Sequence, residues 1–175
     1  GTGWPLAGSM ADGIIPSTQG FWIRATSASA SLTIPQSERT YSTQSFYKSS
    51  GVEINETIRL HVVGNDDHDA LLIQFTPEAT SGYDPSFDLE KRWGYPESPQ
   101  IYAINGEEKF SVSALPKLHL DLIIPIGFEV GTEGLFDLSV LQLENVGDDV
   151  VIVLEDIKEQ TINILTPDDG YQFSA

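Results

Sequence analysis

The chain contains no cysteine, and this absence excludes disulfides, thiolate metal ligands and a cysteine nucleophile. The apolar core must therefore hold the fold together by itself. No apolar run reaches the roughly twenty residues of a membrane-spanning helix, so we expect no membrane insertion. No charged-then-apolar leader opens the chain, and we expect it to be a mature or excised part of a longer protein.

Basic residues are scarce: 9 Lys and Arg stand against 26 Asp and Glu, which gives a net charge of −17. The only adjacent basic pair is Lys91-Arg92. Because phosphate backbones and anionic lipid surfaces would be repelled, we expect no nucleic-acid partner and no binding to an anionic membrane. The charge is interpreted as a source of solubility, with a specific cationic partner as the alternative.

Apolar and polar residues alternate with a period of two along most of the 175 residues, as in strands with one buried and one wet face. No internal repeat or linker interrupts the pattern, so a single domain over residues 1–175 is predicted. The predicted strands are Gly20 to Thr26, Ser31 to Pro35, 57–64, 69–76, 100–104, 109–114, 135–144, 150–156, a strand through Ile162 and Ile164, and 171–173.

Turn signals fall between these runs. The segment 65–68 is predicted to join two strands, and Asn105-Gly106 is predicted to form a type I′ hairpin turn. Leu122 to Ile124 and Val150 to Leu154 are apolar on both sides, which predicts central strands covered on both faces. The alternation slips at Val140-Leu141, where a β-bulge would restore the inward phase.

The segment from Pro77 to Trp93 breaks the alternation. It contains Gly82 and Pro85, so we predict one long irregular loop carrying at most a short helical turn after Asp84. The fold predicted from the whole pattern is all-β, an antiparallel β-sandwich of jelly-roll-like type.

Several short motifs recur in one order along nearly the whole chain. They are "GW-x-L-x-G" from Gly3, "P-x-x-Q-G-F" from Pro16, "L-T-I-P" from Leu32, "S-T-Q-S-F-Y-K" from Ser42, "F-x-P-E-A-T-x-G-Y-D" from Phe75, "I-P-I-G-F" from Ile124, "L-E-D" from Leu154 and "Y-Q-F" from Tyr171. In this order they resemble the β-sandwich module of secreted surface proteins of Bacteroidetes, which lies upstream of the type IX secretion C-terminal sorting domain. Only about seven residues separate the first two motifs, fewer than in that family.

The resemblance implies an extracellular or cell-surface location by the type IX route. It also implies a non-catalytic structural or adhesive module whose partners are other modules or subunits of the same surface protein, and self-assembly is part of this expectation. The alternative function is a carbohydrate-binding module of a secreted polysaccharide-degrading protein, with glycans as partners.

Two groups of carboxylates are candidate calcium ligands. Asn65, Asp67 and Asp69 have the alternate spacing of an EF-hand loop, but the sixth and twelfth positions are Ala70 and Thr76, so the loop is not an EF-hand. The second group lies on the long loop: Asp84, Asp88 and Glu90. Solvated turns and capping by Asp84 explain the same residues without a metal. We therefore expect no cofactor, with calcium as the alternative.

No catalytic arrangement is recognisable, and we expect no enzyme. The three histidines, His61, His68 and His119, fall on different predicted elements, and no zinc-binding or nucleophile motif accompanies them. With 26 acidic residues, some pair of carboxylates always has the spacing of a glycosidase site, so such a pair does not indicate a glycosidase.

Aromatic residues concentrate on the long irregular segment: Tyr83, Phe87, Trp93 and Tyr95. Aromatic faces stack on sugar rings as on other flat apolar surfaces, which makes these four residues candidate carbohydrate contacts. The alternative is that they cap one end of the core.

Two segments are candidates for assembly by strand addition. From Thr40 to Ser50 the chain offers Tyr41, Phe46 and Tyr47 with a single charge and no proline, although natural edge strands are usually blunted. The second candidate is the terminal strand with Tyr171 and Phe173. Pairing with a neighbouring subunit that does not close into a ring would give a filament.

Overall fold

The computed structural model describes residues 27–39 and 56–175. The chain divides into two compact units, Gly1–Val52 and Glu53–Ala175. In the first unit the described residues form a turn and a short 3₁₀ helix, Gln36–Glu38. The predicted strand from Ser31 to Pro35 is wrong: this segment is irregular and exposed. The predicted strand from Gly20 to Thr26 and the assembly candidates Tyr41, Phe46 and Tyr47 lie outside the described residues.

The second unit is built from strands, which confirms the all-β prediction. Residues 56–175 contain ten strands: β1 (Glu56–Gly64), β2 (Asp67–Phe75), β3 (Leu89–Glu90), β4 (Gln100–Asn105), β5 (Glu108–Leu115), β6 (Ile126–Glu129), β7 (Leu135–Glu144), β8 (Ile152–Asp156), β9 (Thr161–Leu165) and β10 (Tyr171–Ser174). No helix occurs within residues 56–175, and the long segment before β4 contains only turns and β3.

The strands form one large sheet and one small one. The large sheet has the order β10-β7-β1-β2-β5-β4-β6, with β3 paired to β5, and β8 pairs with β9 in a separate two-stranded sheet. The large sheet is mixed rather than wholly antiparallel, because β2 and β5 run parallel. The long connection between β2 and β5 makes this possible, since parallel neighbours need a crossover.

The large sheet curls until its two outermost strands approach each other. β6 and β10 stand at opposite ends of the strand order, yet the ring of Phe128 on β6 lies 5.0 Å from that of Phe173 on β10. Phe136 on β7 packs against both rings. The inner side of the curl forms the apolar core, with Val62, Leu71 and Phe136 among its fully buried residues.

Two hairpin turns show how backbone chemistry sets the register. Asn65 and Asp66 join β1 to β2, and both have positive φ (54° and 59°), as a type I′ turn requires. In the β4–β5 hairpin the predicted pair is wrong by one residue. Asn105 pairs with Glu108, so Gly106-Glu107 form the turn, and only Gly106 has positive φ (63°). That pattern belongs to a type II′ turn.

The predicted β-bulge in β7 is confirmed. Arg59 pairs with Gln142 and Leu60 pairs with Val140, so Leu141 is the extra residue. Phe136 and Val140 face the core before the bulge, and after it Leu143 pairs with the core residue Ile58 of β1.

The two predicted central strands are wrong. Leu122 to Ile124 form no strand, and the side chain of Ile123 is 86% exposed. The apolar run 150–154 falls partly in β8, which belongs to the two-stranded sheet and leaves Val153 exposed. A short apolar run fits a buried strand, an irregular segment or a half-covered strand equally well, so only long-range pairing decides.

Candidate functional site

Tyr102 lies on the face of β4 opposite the core cluster, where neighbouring side chains leave it only 5% exposed. Its neighbours Ile101 and Ala103 point into the core, so the period of two turns Tyr102 outward. Tyr102 pairs with Gly127 on β6, and a Cβ at Gly127 would overlap the tyrosine ring. The absence of a side chain at Gly127 therefore lets the ring lie flat against β6.

A charged pair sits at the edge of this ring. The Tyr102 hydroxyl donates to Glu129 Oε1 at 2.7 Å, and Lys109 Nζ donates to the same oxygen at 2.6 Å. Lys109 and then Tyr102 hold the pKa of Glu129 below its usual value. Glu129 in turn raises the pKa of Lys109. Both groups are therefore charged at neutral pH.

Trp93 lies beside both the ring of Tyr102 and the ammonium group of Lys109. Its ring meets the ring of Tyr102 edge-on at 5.5 Å between centroids, and Lys109 Nζ lies 5.0 Å from the Trp93 centroid, within cation–π range. Trp93 is still 51% exposed, and Tyr95 is 79% exposed. We call Trp93, Tyr95, Tyr102, Lys109 and Glu129 the aromatic platform.

The loop that presents Trp93 and Tyr95 is tied down by the buried side chain of Gln100. Gln100 Oε1 accepts from the backbone N–H of Gly94 at 3.1 Å, and its Nε2 donates to the carbonyls of Ser98 at 3.2 Å and Tyr95 at 3.5 Å. The Gly131 N–H donates to the carbonyl of Pro96 at 2.6 Å. The exposed rings are thus carried on a backbone whose position is fixed before any ligand arrives.

The first group of predicted calcium ligands makes protein contacts instead of forming a cluster. Asp69 Oδ2 accepts from the buried ammonium of Lys91 and from the Ile101 N–H at 2.7 Å. Asp67 accepts from the Ser98 hydroxyl and from the His68 N–H. The Ser98 hydrogen bond, followed by that of the His68 N–H, lowers the pKa of Asp67.

The second group organises the turn before β3. Asp88 Oδ2 accepts from the Asp84 N–H and Oδ1 from the Ala114 N–H, both at 2.7 Å. Asp84 Oδ1 accepts from the Ser86 N–H at 3.1 Å, and Glu90 lies 3.9 Å from Arg92. In residues 27–39 and 56–175 no three His, Asp or Glu side chains come together as a metal site would require.

The structure separates the four predicted sugar-binding aromatic residues into two pairs. The ring of Tyr83 stacks on Phe110 at 5.5 Å and packs against the core. Phe87 is half-buried, and its carbonyl accepts from Gln74. Only Trp93 and Tyr95 are presented to solvent, and they belong to the aromatic platform.

Three platform residues, Tyr102, Lys109 and Glu129, could not be recognised from the sequence pattern. They lie on three strands that are adjacent only after folding. One signal was available, because Tyr102 is an aromatic residue at the outward phase between two inward apolar residues.

Two histidines that the sequence separates are brought together. His61 on β1 and His68 on β2 are diagonal neighbours on one face of the hairpin, with ring centroids 5.4 Å apart. Burial, and then the charge of His68, lowers the pKa of His61. His119 is exposed on the irregular segment after β5.

β10 lies at one end of the strand order of the large sheet. Its assembly candidates face inward: Phe173 packs in the core, and the Tyr171 hydroxyl donates to Asp156 at 3.0 Å. Strand addition at β10 would therefore depend on its backbone, and these two side chains would stay in their own chain.

An all-β domain with an outer aromatic platform is thus the class of protein that the geometry defines. The chain belongs to the family described as a domain of unknown function (DUF8693), whose model matches residues 2–175. No curated protein and no solved structure matches the chain. Within the described residues, no helix is long and apolar enough to cross a membrane.

Proposed function

We propose that the chain is a non-catalytic module of an extracellular or cell-surface protein that adheres to carbohydrate through the aromatic platform. The observation that carries this proposal is the exposure of Trp93 and Tyr95 on a loop fixed by Gln100. The extracellular location and the type IX route are supported by the sequence resemblance to surface modules of Bacteroidetes.

The chemistry of the platform suits a sugar ring. The exposed rings offer apolar faces for stacking, while the neighbouring charged pair of Lys109 and Glu129 offers a donor and an acceptor for hydroxyl groups. The net charge of −17 repels polyanionic glycans. A neutral polysaccharide is therefore the ligand class that fits.

Calorimetry and affinity electrophoresis against neutral plant and algal glycans test the proposal. At least one glycan should bind with micromolar affinity, and Trp93→Ala should weaken binding at least tenfold, because about 1.4 kcal/mol of stacking is lost. Leu135→Ala is the matched control, since Leu135 is also exposed but lies on β7. A panel without binding, or a Trp93→Ala variant that binds like the parent chain, contradicts the proposal.

A second observation favours the structural, self-assembling function that the resemblance implies. Val153 on β8 and Ile164 on β9 pair directly and are both exposed (56% and 61%), and Ile162 beside them is exposed too. A two-stranded sheet is marginally stable by itself. Other subunits or modules of the same surface protein would be the partners that cover this strip.

A further inference from the structure

A cavity of about 300 Å³ opens between the inner side of the curled sheet and the β8–β9 hairpin. The accessible wall of the cavity consists of half-buried apolar residues, among them Ile126, Leu154 and Phe173. The core residues Val62, Ile101 and Leu138 lie beneath them and are at most 5% exposed. Leu154 to Lys158, from β8 and the turn after it, form one side of its mouth. The cavity lies on the inner side of β4, whereas Tyr102 of the aromatic platform lies on the outer side.

The size of the cavity limits what can enter. An apolar cavity of about 150 Å³ accommodates a benzene molecule, and a water-sized unit takes about 30 Å³. By that measure this cavity accommodates roughly ten non-hydrogen atoms. Its volume stands at the lower end of the range for small-molecule sites.

The charges at the mouth favour one kind of polar end. Glu155 and Asp156 line the mouth together with a single cation, Lys158. The backbone N–H of Glu159 holds the pKa of Asp156 below its usual value, so this carboxylate is ionised at neutral pH. The field of the whole chain, with its net charge of −17, acts in the same direction.

We propose that this cavity binds a small amphipathic amine, whose alkyl or aryl group of about ten non-hydrogen atoms packs on Ile126, Leu154 and Phe173. The ammonium group lies at the mouth beside Glu155 and Asp156. The apolar part of the ligand supplies the affinity and the carboxylates select the sign of the head group. This site is independent of carbohydrate binding, so either can fail without the other.

Three probes with the same chain length separate these contributions: octylammonium chloride, 1-octanol and sodium octanoate, each below its aggregation concentration. Binding is followed by methyl chemical shifts of Ile126 and Leu154, which line the cavity. Saturable shifts are expected for octylammonium and octanol, with octylammonium at least fivefold tighter and octanoate weakest. Glu155→Gln should reduce the preference for octylammonium over octanol and leave octanol binding unchanged.

A cavity-filling variant tests the location. Ile126→Phe should weaken octanol binding at least tenfold, because Ile126 lines the cavity. Ile123→Phe is the matched control at an exposed position outside the lining. If Ile126→Phe fails to fold, the head-group ratio in Glu155→Gln still decides.

Several results would overturn the proposal: no saturable binding of any probe, octanoate binding tightest, or a filling variant that binds like the control. Methyl shifts that follow protein concentration instead of probe concentration would also overturn it. They would show that a second copy of the chain occupies the cavity.

Discussion

The buried ammonium of Lys91 shows how single residues hold the irregular segment to the sheet. Its side chain is 3% exposed, and its partner Asp69 on β2 also accepts from the Ile101 N–H on β4. One carboxylate therefore connects β2, β4 and the residue after β3. In the sequence Asp69 looked like a calcium ligand, because spacing cannot show that a lysine 22 residues away occupies the same oxygen.

A double-mutant cycle tests this role. Lys91→Met or Asp69→Asn alone should lower the free energy of unfolding by about 3 kcal/mol, because the remaining partner stays poorly solvated. The double variant should recover part of that loss, which urea titration would measure as a coupling energy. Asp148→Asn, in an exposed turn, is the control. Additive losses would show that the two groups do not act as a pair.

The same residue serves to test the calcium alternative. If Asp69 only pairs with Lys91, millimolar calcium should leave the melting temperature of the parent chain unchanged. A site occupied at 100 times its dissociation constant would instead add about 2.7 kcal/mol to stability. A rise in melting temperature that EDTA reverses would restore the metal interpretation.

At the level of strands and turns, alternation predicts where most elements lie. The expected range 135–144 matches β7 residue for residue, and its bulge was readable from the slip at Val140-Leu141. The central strand predicted over Leu122 to Ile124 is wrong, because an apolar run without alternation does not indicate which segments it pairs with. The turn between β4 and β5 lies one residue later than predicted, because Gly106 fits a type II′ turn as well as a type I′ turn.

His61 lies on the outer face of β1 and β2, and its environment predicts that the stability of the chain depends on pH. Because the pKa of His61 is lowered from 6.5 by burial and by His68, the unfolded chain binds the proton more readily than the folded one. The free energy of unfolding is therefore highest above about pH 6.5, the pKa of His61 in the unfolded chain. It decreases as the pH falls towards the lower pKa of His61 in the folded chain. Urea titrations between pH 7.5 and 5 should show stability decreasing with acid.

His61→Gln should flatten that slope, because it removes the group whose pKa differs between the two states. His119→Gln should leave it unchanged, since His119 is exposed on a different segment. An equal slope in the parent chain and in His61→Gln would contradict this assignment.

At the level of the whole molecule, the sequence predicted an all-β fold but not the strand order. The parallel β2–β5 pair and the approach of β6 to β10 depend on contacts between distant segments. The same limit applies to the aromatic platform. Trp93 was predicted as a binding residue from its place on an irregular segment, whereas the charged pair beside it came from strands that only folding brings together.

Self-association is the prediction that belongs to this scale. The net charge of −17 makes copies of the chain repel one another, while Val153, Ile162 and Ile164 form an exposed apolar strip. Salt screens the repulsion without weakening apolar contacts. In sedimentation velocity, the fraction of assembled chain should therefore rise with sodium chloride as well as with protein concentration.

Substitutions in this apolar strip distinguish association through the strip from association through another surface of the chain. Ile164→Lys should abolish the assembly, whereas Val63→Lys, at an exposed position on β1, should not. Phe46→Lys examines the other candidate segment named from the sequence. A chain that stays monomeric at high concentration in high salt contradicts self-assembly altogether.

The position of β1 between β2 and β7 also has a consequence for the order of events during folding. The β1–β2 hairpin closes locally, but the other edge of β1 pairs Thr57 with Glu144, 87 residues later. Pairing at such separation makes folding slow, because loop closure costs entropy before the contacts form. On the ribosome, β1 therefore emerges long before its partner and presents an open edge to the cell meanwhile. A chaperone that holds extended segments would act in that interval.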